Sequence, residues 1–131
     1  MHSDPLTADV ATLQTTTSLS YTDLATAGPA VTMTMANGQA ALVIISARIK
    51  HSAAGGQSAL MSFAVTGATS LSAADSNACE TADTSTGGII VTRATVFIAG
   101  ATGSHTFTCK YQVQSGGTGT YLNRRIIVKR F

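Results

Sequence analysis

The chain has 131 residues and a formal net charge of +2, and charged side chains occupy only 11% of positions. A net charge this small argues against bulk electrostatic attraction to nucleic acid. The longest apolar run, residues 40–45, falls far short of the roughly 18–20 residues needed to span a bilayer, so neither nucleic acid nor a membrane is an expected partner.

The scarcity of charge has a second consequence. Soluble domains carry about 25% charged residues, so a monomer with so few would have a weakly solvated surface. We expect much of this surface to be covered by further copies of the chain or by a larger particle. A coat of Thr and Ser hydroxyl groups, in which the chain is rich, is the other solution and is compatible with the first.

Residues 1–14 are predicted to form a short N-terminal arm. Leu6, Val10 and Leu13 recur at helix-like spacing, and Thr7 is placed to cap a short helix. We interpret this segment as an arm that becomes ordered against a partner, with the three apolar side chains as candidate contacts. It has no basic region followed by an apolar stretch, so no signal peptide is expected.

Residues 15–131 are predicted to form one domain of short strands. Asn37-Gly38, between two alternating segments, is a strong hairpin signal. Residues 40–50 begin apolar on both faces, which favours a central strand covered on both sides. The predicted strands are 15–22, 31–35, 40–50, 59–65, 89–98, 104–114 and 120–131.

The predicted core follows from period-2 alternation, which indicates strands with one buried and one wet face. The clearest case is residues 104–114, where apolar side chains occupy the odd positions and polar ones the even positions. The predicted core residues are Val43, Ile45, Met61, Phe63, Val65, Phe107, Cys109, Tyr111 and Val113.

Seven or eight strands without a long helix predict an antiparallel β-sandwich. The absence of Trp, and hence of a Cys…Trp…Cys pattern, favours a jelly roll over an immunoglobulin-like fold. Two cysteines, Cys79 and Cys109, are too few for a disulfide framework, and we expect a buried free thiol at Cys109.

Motifs that carry catalytic chemistry are missing from the sequence. His2, His51 and His105 are far apart and are interpreted as surface or turn residues. The glycine-rich segment 115–119 joins two predicted strands, so it is interpreted as a hairpin turn and not as a phosphate-binding loop. We therefore expect no enzyme activity and no cofactor or metal.

A sugar-binding site is the remaining small-ligand hypothesis. Asp75, Glu80 and Asp83 fall in one poorly patterned stretch and are candidates to hold a cation, as in a small lectin, but they lack the D-x-D-x-D-G spacing. Tyr21 and Tyr121 are the aromatic residues left available for stacking on a sugar.

Two adjacent arginines, Arg124 and Arg125, occur in the last predicted strand. Neighbouring residues of a strand point to opposite faces, so they do not form one basic patch. We expect them to pair with carboxylates within or between subunits, and we take both as candidate residues of a subunit interface.

Five segments carry a resemblance to a known family. They are TTTSLSYTDL (15–24), GPAVTMT (28–34), ALVIISA (41–47), MSFAVTGAT (61–69) and GGTGTYLNRRIIV (116–128). These segments resemble a β domain found in virion proteins of tailed phages of actinobacteria, and the likeness extends over residues 15–131. It implies a trimeric, jelly-roll-like module of the kind found in head decoration proteins and in minor tail or fibre proteins.

The domain nearly fills the chain, which favours a stand-alone decoration protein. The resulting expectation is a homotrimer in the virion that binds the major capsid protein and stabilises the head lattice. The alternatives are a tail-associated module that binds a host receptor and, less favoured, a small lectin.

Overall fold

The structure is a computed structural model that describes residues 4–52 and 57–131. Within these ranges the chain forms nine strands and a single 3-10 turn, Asp75–Asn77. The strands are β1 (Leu6–Val10), β2 (Gln14–Thr16), β3 (Ala30–Met35), β4 (Ala40–His51), β5 (Ala59–Gly67), β6 (Cys79–Thr81), β7 (Ile89–Ile98), β8 (Gly103–Val113) and β9 (Gly119–Arg130).

The strands form two antiparallel sheets that pack face to face. The larger sheet has the order β1-β9-β4-β7, with β2 also paired to β9, and the smaller has the order β3-β8-β5-β6. From β3 to β9, each strand is followed by a strand of the other sheet, except that β5 is followed by β6 in the same sheet. This connectivity is that of a jelly roll. The predicted all-β, antiparallel sandwich is confirmed.

The core lies between the two sheets and is built by strand alternation. Every second residue of β4 is buried from Ala41 to His51, and β3 and β8 alternate in the same way. All nine residues predicted as core are in the buried cluster, each with a relative exposure of 1% or less. Phe107 contacts two further aromatic rings, Phe97 at 5.3 Å and Phe63 at 6.4 Å between centroids.

A β-bulge in β9 changes which positions of the strand face the core. Ser46 pairs with Arg125 but Arg48 pairs with Leu122, so β9 contains one residue more than the strand opposite. Asn123 takes a φ of 52° at this point, a conformation that Asn tolerates better than most residues. The inward positions are therefore odd before the bulge, as at Tyr121, and even after it.

The N-terminal segment differs from its prediction. Residues 6–10 are strand β1, which pairs with β9 from Leu6 opposite Val128 to Val10 opposite Arg124. The predicted helix is wrong, because the edge of β9 offers hydrogen bonds to an extended chain and an isolated helical turn is costly to nucleate. The segment interpreted as an arm is thus, over residues 6–10, an edge strand of the larger sheet.

One other predicted stretch also differs. Of the predicted strand 15–22, only Thr15 and Thr16 are in a strand, and Thr22 forms a single bridge to Tyr111. The part of the predicted arm before Asp4 lies outside the described residues.

Candidate assembly surface

The outward side of the larger sheet carries an apolar patch. Side chains directly opposite one another in paired strands share a face, and Ile44 lies between Ala94 on β7 and Ile127 on β9. Val96 and Ile98 on β7 remain 60% and 55% exposed. We call the following set the outer apolar face: Leu42, Ile44, Ala94, Val96, Ile98 and Ile127.

The sequence contained the signal for this surface. The apolar character of β4 on both faces was interpreted as a strand covered on both sides, yet within the described chain only its inner face is covered. Leu42 and Ile44 are half-buried by their neighbours on the outward side. Soluble proteins rarely expose large contiguous apolar patches, and those that they do expose often mark interaction sites.

A cleft lined by both charged and apolar residues borders the outer apolar face. It has a volume of about 420 Å³ and lies beside the bulge, with Asn123 and Ile90 among its lining residues. Arg125 Nε donates a hydrogen bond of 2.5 Å to Asp9 Oδ1. This hydrogen bond and the negative charge of the Asp9 carboxylate raise the pKa of Arg125. Arg48, also in the cleft, donates to the carbonyl of Gly88 at 3.3 Å.

Arg124 does not lie where the sequence predicted. Its side chain is completely buried, because the bulge turns position 124 towards the core. Nη1 donates to the carbonyl of Gly28 at 2.9 Å, and Nη2 donates to the amide oxygen of Gln14 at 2.6 Å. A fully enclosed side chain is unable to contact another subunit, so the prediction of Arg124 as an interface residue is wrong.

Arg125 does face outward, and its side chain is 57% exposed. The predicted division of the two arginines between opposite faces is therefore confirmed. Arg125 pairs with Asp9 within the chain, and its place at an interface between subunits stays a prediction.

The three candidate contacts of the arm are not brought together on one surface. Leu6 and Val10 lie opposite Val128 and Arg124, which are both buried, so they project towards the inner side of the sheet edge. Leu13 lies between β1 and β2 and is 54% exposed. Contact of these residues with a capsid stays a prediction.

The two described histidines are buried, so their interpretation as surface residues is wrong. His51 is 1% exposed and its Nε2 lies 2.8 Å from the carbonyl oxygen of Gly116 in the glycine-rich turn. His105 is fully buried, with Nδ1 2.9 Å from the Gly103 carbonyl and Nε2 2.9 Å from Thr69 Oγ1. Both rings have structural partners. His2 lies outside the described residues.

Of the residues considered for sugar or cation binding, Tyr21, Tyr121 and Asp75 form hydrogen bonds within the chain. Tyr121 is fully buried and donates from its hydroxyl group to the carbonyl of Leu60 at 2.9 Å. The Tyr21 hydroxyl group donates to Asp75 Oδ1 at 2.8 Å. In the ranges that the structure describes, no three His, Cys, Asp or Glu residues are grouped so that they could hold a metal ion.

Both cysteines are buried free thiols. Burial raises the pKa of the Cys79 thiol from 9.0 to about 12, and burial also raises that of Cys109. Thiols held in the neutral form are poor nucleophiles. Their role in the described structure is to fill the core.

Neither a family model nor a curated protein matches the chain. The helical content of residues 4–52 and 57–131 is limited to one 3-10 turn, and they include no helix with the length and apolar character to cross a membrane. The outer apolar face is the surface of the described residues from which we argue a function.

Proposed function

We propose that this chain is a structural protein of a phage virion, a head decoration protein whose homotrimers bind the major capsid protein and stabilise the head lattice. The observation that carries the proposal is the outer apolar face, in a chain with only 11% charged residues. Such a surface gains free energy when a larger assembly covers it.

Two further features support the proposal. The sequence segments described above resemble β domains of phage virion proteins, and the jelly roll is a fold that viral capsid proteins use. Because one fold serves many functions, including sugar binding in lectins, the fold alone does not decide between them. The proposal therefore depends on the outer apolar face and on the resemblance together.

The proposed mechanism is stabilisation by binding. A protein that binds the assembled lattice and not its dissociated parts shifts the equilibrium towards the assembly. Burying an aliphatic side chain contributes about 1.5–3 kcal/mol, so a few residues of the outer apolar face supply a useful binding energy. No catalytic step is part of the proposal.

The test is sedimentation with phage heads that lack the protein. The wild-type protein is expected to bind to saturation and to raise the temperature at which the heads open. Val96→Asp is expected to lower the affinity at least about 30-fold, since it removes on the order of 2 kcal/mol of apolar burial and adds a charge to be desolvated.

A matched control is Thr66→Asp, which places the same charge at an exposed position of the smaller sheet. It is expected to bind heads as the wild type does. Equal binding by both variants would remove the outer apolar face from the mechanism. Binding of the wild-type protein to host cells but not to heads would overturn the proposal in favour of the tail-associated module.

A further inference from the structure

The larger sheet ends at β7. Its order places β7 at the edge, and no strand among residues 4–52 and 57–131 pairs with its other side. β7 has ten residues, twice the length of β1 at the opposite edge. A strand edge presents a row of backbone N–H and C=O groups, which is a template for another extended strand.

The two edges of this sheet differ in their protection. Native proteins protect edges with short strands, Pro, charged side chains or bulges. β1 is short, follows Pro5 and carries Asp9, which pairs with Arg125. β7 reads IIVTRATVFI and contains no Pro, Lys or acidic residue.

The one charged residue of β7, Arg93, forms hydrogen bonds within the chain. Arg93 Nη2 donates to the Ser76 carbonyl at 2.7 Å, and Nη1 donates to the Ala78 carbonyl at 3.4 Å. These bonds hold the guanidinium against the 3-10 turn and the residue that precedes β6. The outward residues of β7, at the even positions from Ile90 to Ile98, are all uncharged.

We propose that β7 pairs antiparallel with β7 of a second copy across a two-fold axis, with Ala94 opposite Ala94. An open edge is a template for another extended strand, and the uncharged outward residues of β7 allow a second copy of the same strand to serve as that partner. The pairing places Ile90 opposite Ile98 of the second copy and Thr92 opposite its Val96. It also makes the outer apolar faces of the two copies continuous.

Symmetry and charge select the register. Residues directly opposite one another must share a face of the sheet, so the axis passes through a residue and not between two. Centring on Arg93 would put two guanidinium groups opposite each other, which is unfavourable. Centring on Thr95 would leave Ile90 beyond the pairing, whereas centring on Ala94 pairs all residues from 90 to 98 and sets Arg93 opposite Thr95.

This inference goes beyond the proposed function, because it needs no phage head. A two-fold contact is also distinct from the contact within a homotrimer. On a lattice it would join copies of adjacent trimers, and in solution it would pair chains directly.

Disulfide trapping tests both the contact and its register. Directly opposite residues of antiparallel strands have Cα atoms about 4.5–5.5 Å apart, within the range of a disulfide. Ala94→Cys is therefore expected to oxidise to a covalent dimer at micromolar concentration. Thr92→Cys, exposed on the same face, is the matched control, since its two copies would be more than about 13 Å apart.

The double variant Thr92→Cys/Val96→Cys is expected to recover dimer formation through two bridges, measured by intact mass without reductant. The native thiols are buried, so the wild-type protein provides the background. Circular dichroism of the reduced variants checks their folding. Equal cross-linking of the two single variants, or none in any variant, would overturn the inference, whereas head sedimentation alone decides the proposed function.

Discussion

The guanidinium carbon of Arg124 lies 5.1 Å from the centre of the Tyr111 ring, and its Nη1 donates to the Tyr111 hydroxyl group at 3.2 Å. That hydroxyl group donates in turn to the Gly28 carbonyl at 2.7 Å. Arg124 thereby links the last strand, the strand before it and the connection that leads into β3. Three parts of the chain share one buried cation.

Replacing Arg124 by Met is expected to lower the free energy of unfolding by on the order of 3 kcal/mol, because buried polar groups left without partners cost about 1–3 kcal/mol each. The Gln14 amide oxygen would lose its charged donor. Urea denaturation measures the change. Arg125→Met is the matched control and is expected to have a much smaller effect, since exposed ion pairs contribute little. Equal losses would contradict a special role for Arg124.

Gly117→Ala is expected to destabilise the fold more than Gly116→Ala. Both glycines have positive φ, at 79° and 98°, so the backbone strain of a side chain is common to the two variants. A Cβ at Gly117 would overlap the buried ring of His51, whereas at Gly116 it would meet no atom within 4 Å. Overpacking costs about 1–3 kcal/mol. A thermal midpoint that falls equally in both variants would show that the His51 ring moves aside at little energetic cost.

Phe107→Ala is expected to cost about 3–5 kcal/mol, the range for truncating a buried Phe. The ring lies between Phe97 and Phe63 in the core and is fully buried. Phe131→Ala, at a residue that is 68% exposed, is the control and should leave the unfolding midpoint almost unchanged. A small loss at Phe107 would mean that the core collapses to fill the space.

Stability is expected to fall in alkali. The pKa of the Cys79 thiol rises from 9.0 to about 12 in the folded state, so its contribution is full below pH 9 and is lost as the pH rises towards 12. The unfolded chain ionises first, and each such group lowers the free energy of unfolding by about 1.4 kcal/mol per pH unit. Denaturation curves between pH 7 and 10.5 measure this slope.

Cys79→Ala provides the control for the alkaline slope. It is expected to remain less stable than the wild type at neutral pH but to lose stability more slowly above pH 9, because one buried thiol is gone. An unchanged slope would assign the alkaline transition to other groups, such as the buried Tyr111 and Tyr121, whose pKa values burial also raises.

Strand alternation made much of the fold predictable. Residues 89–98 were expected as a strand and are β7, and Asn37-Gly38 does connect β3 to β4. In β8 the odd positions are buried, as their apolar character indicated. These predictions succeed because one face of each strand packs on the core, which imposes a period of two on the sequence.

The position of Arg124 was not predictable in the same way. A bulge is set by one residue in a left-handed conformation, and nothing in the local pattern of β9 marks Asn123 as that residue. Without it, Tyr121 and Arg124 would face opposite sides, and one of them would be exposed. The burial of His51 and His105 was missed because both depend on partners far away in sequence, the glycine turn and Thr69.

The sequence predicted the apolar character of the outer apolar face but not its exposure. The apolar run at the start of β4 indicated a strand covered on two sides, which is a statement about what packs against it. An apolar side chain in a strand indicates that this position is buried. The sequence does not indicate whether the residues that bury it belong to the same chain or to another.

The central position of β9 has a consequence for how the protein is made. β9 lies between β1 and β2 on one side and β4 on the other. These three strands precede β9 in the chain, so none of them can pair with β9 until residues 119–130 leave the ribosome. During synthesis β1, β2 and β4 emerge before the strand with which they pair, and non-local pairing of this kind is slow. We expect nascent chains stalled with residue 119 still inside the ribosome to engage chaperones far more than chains in which residues 119–130 have emerged.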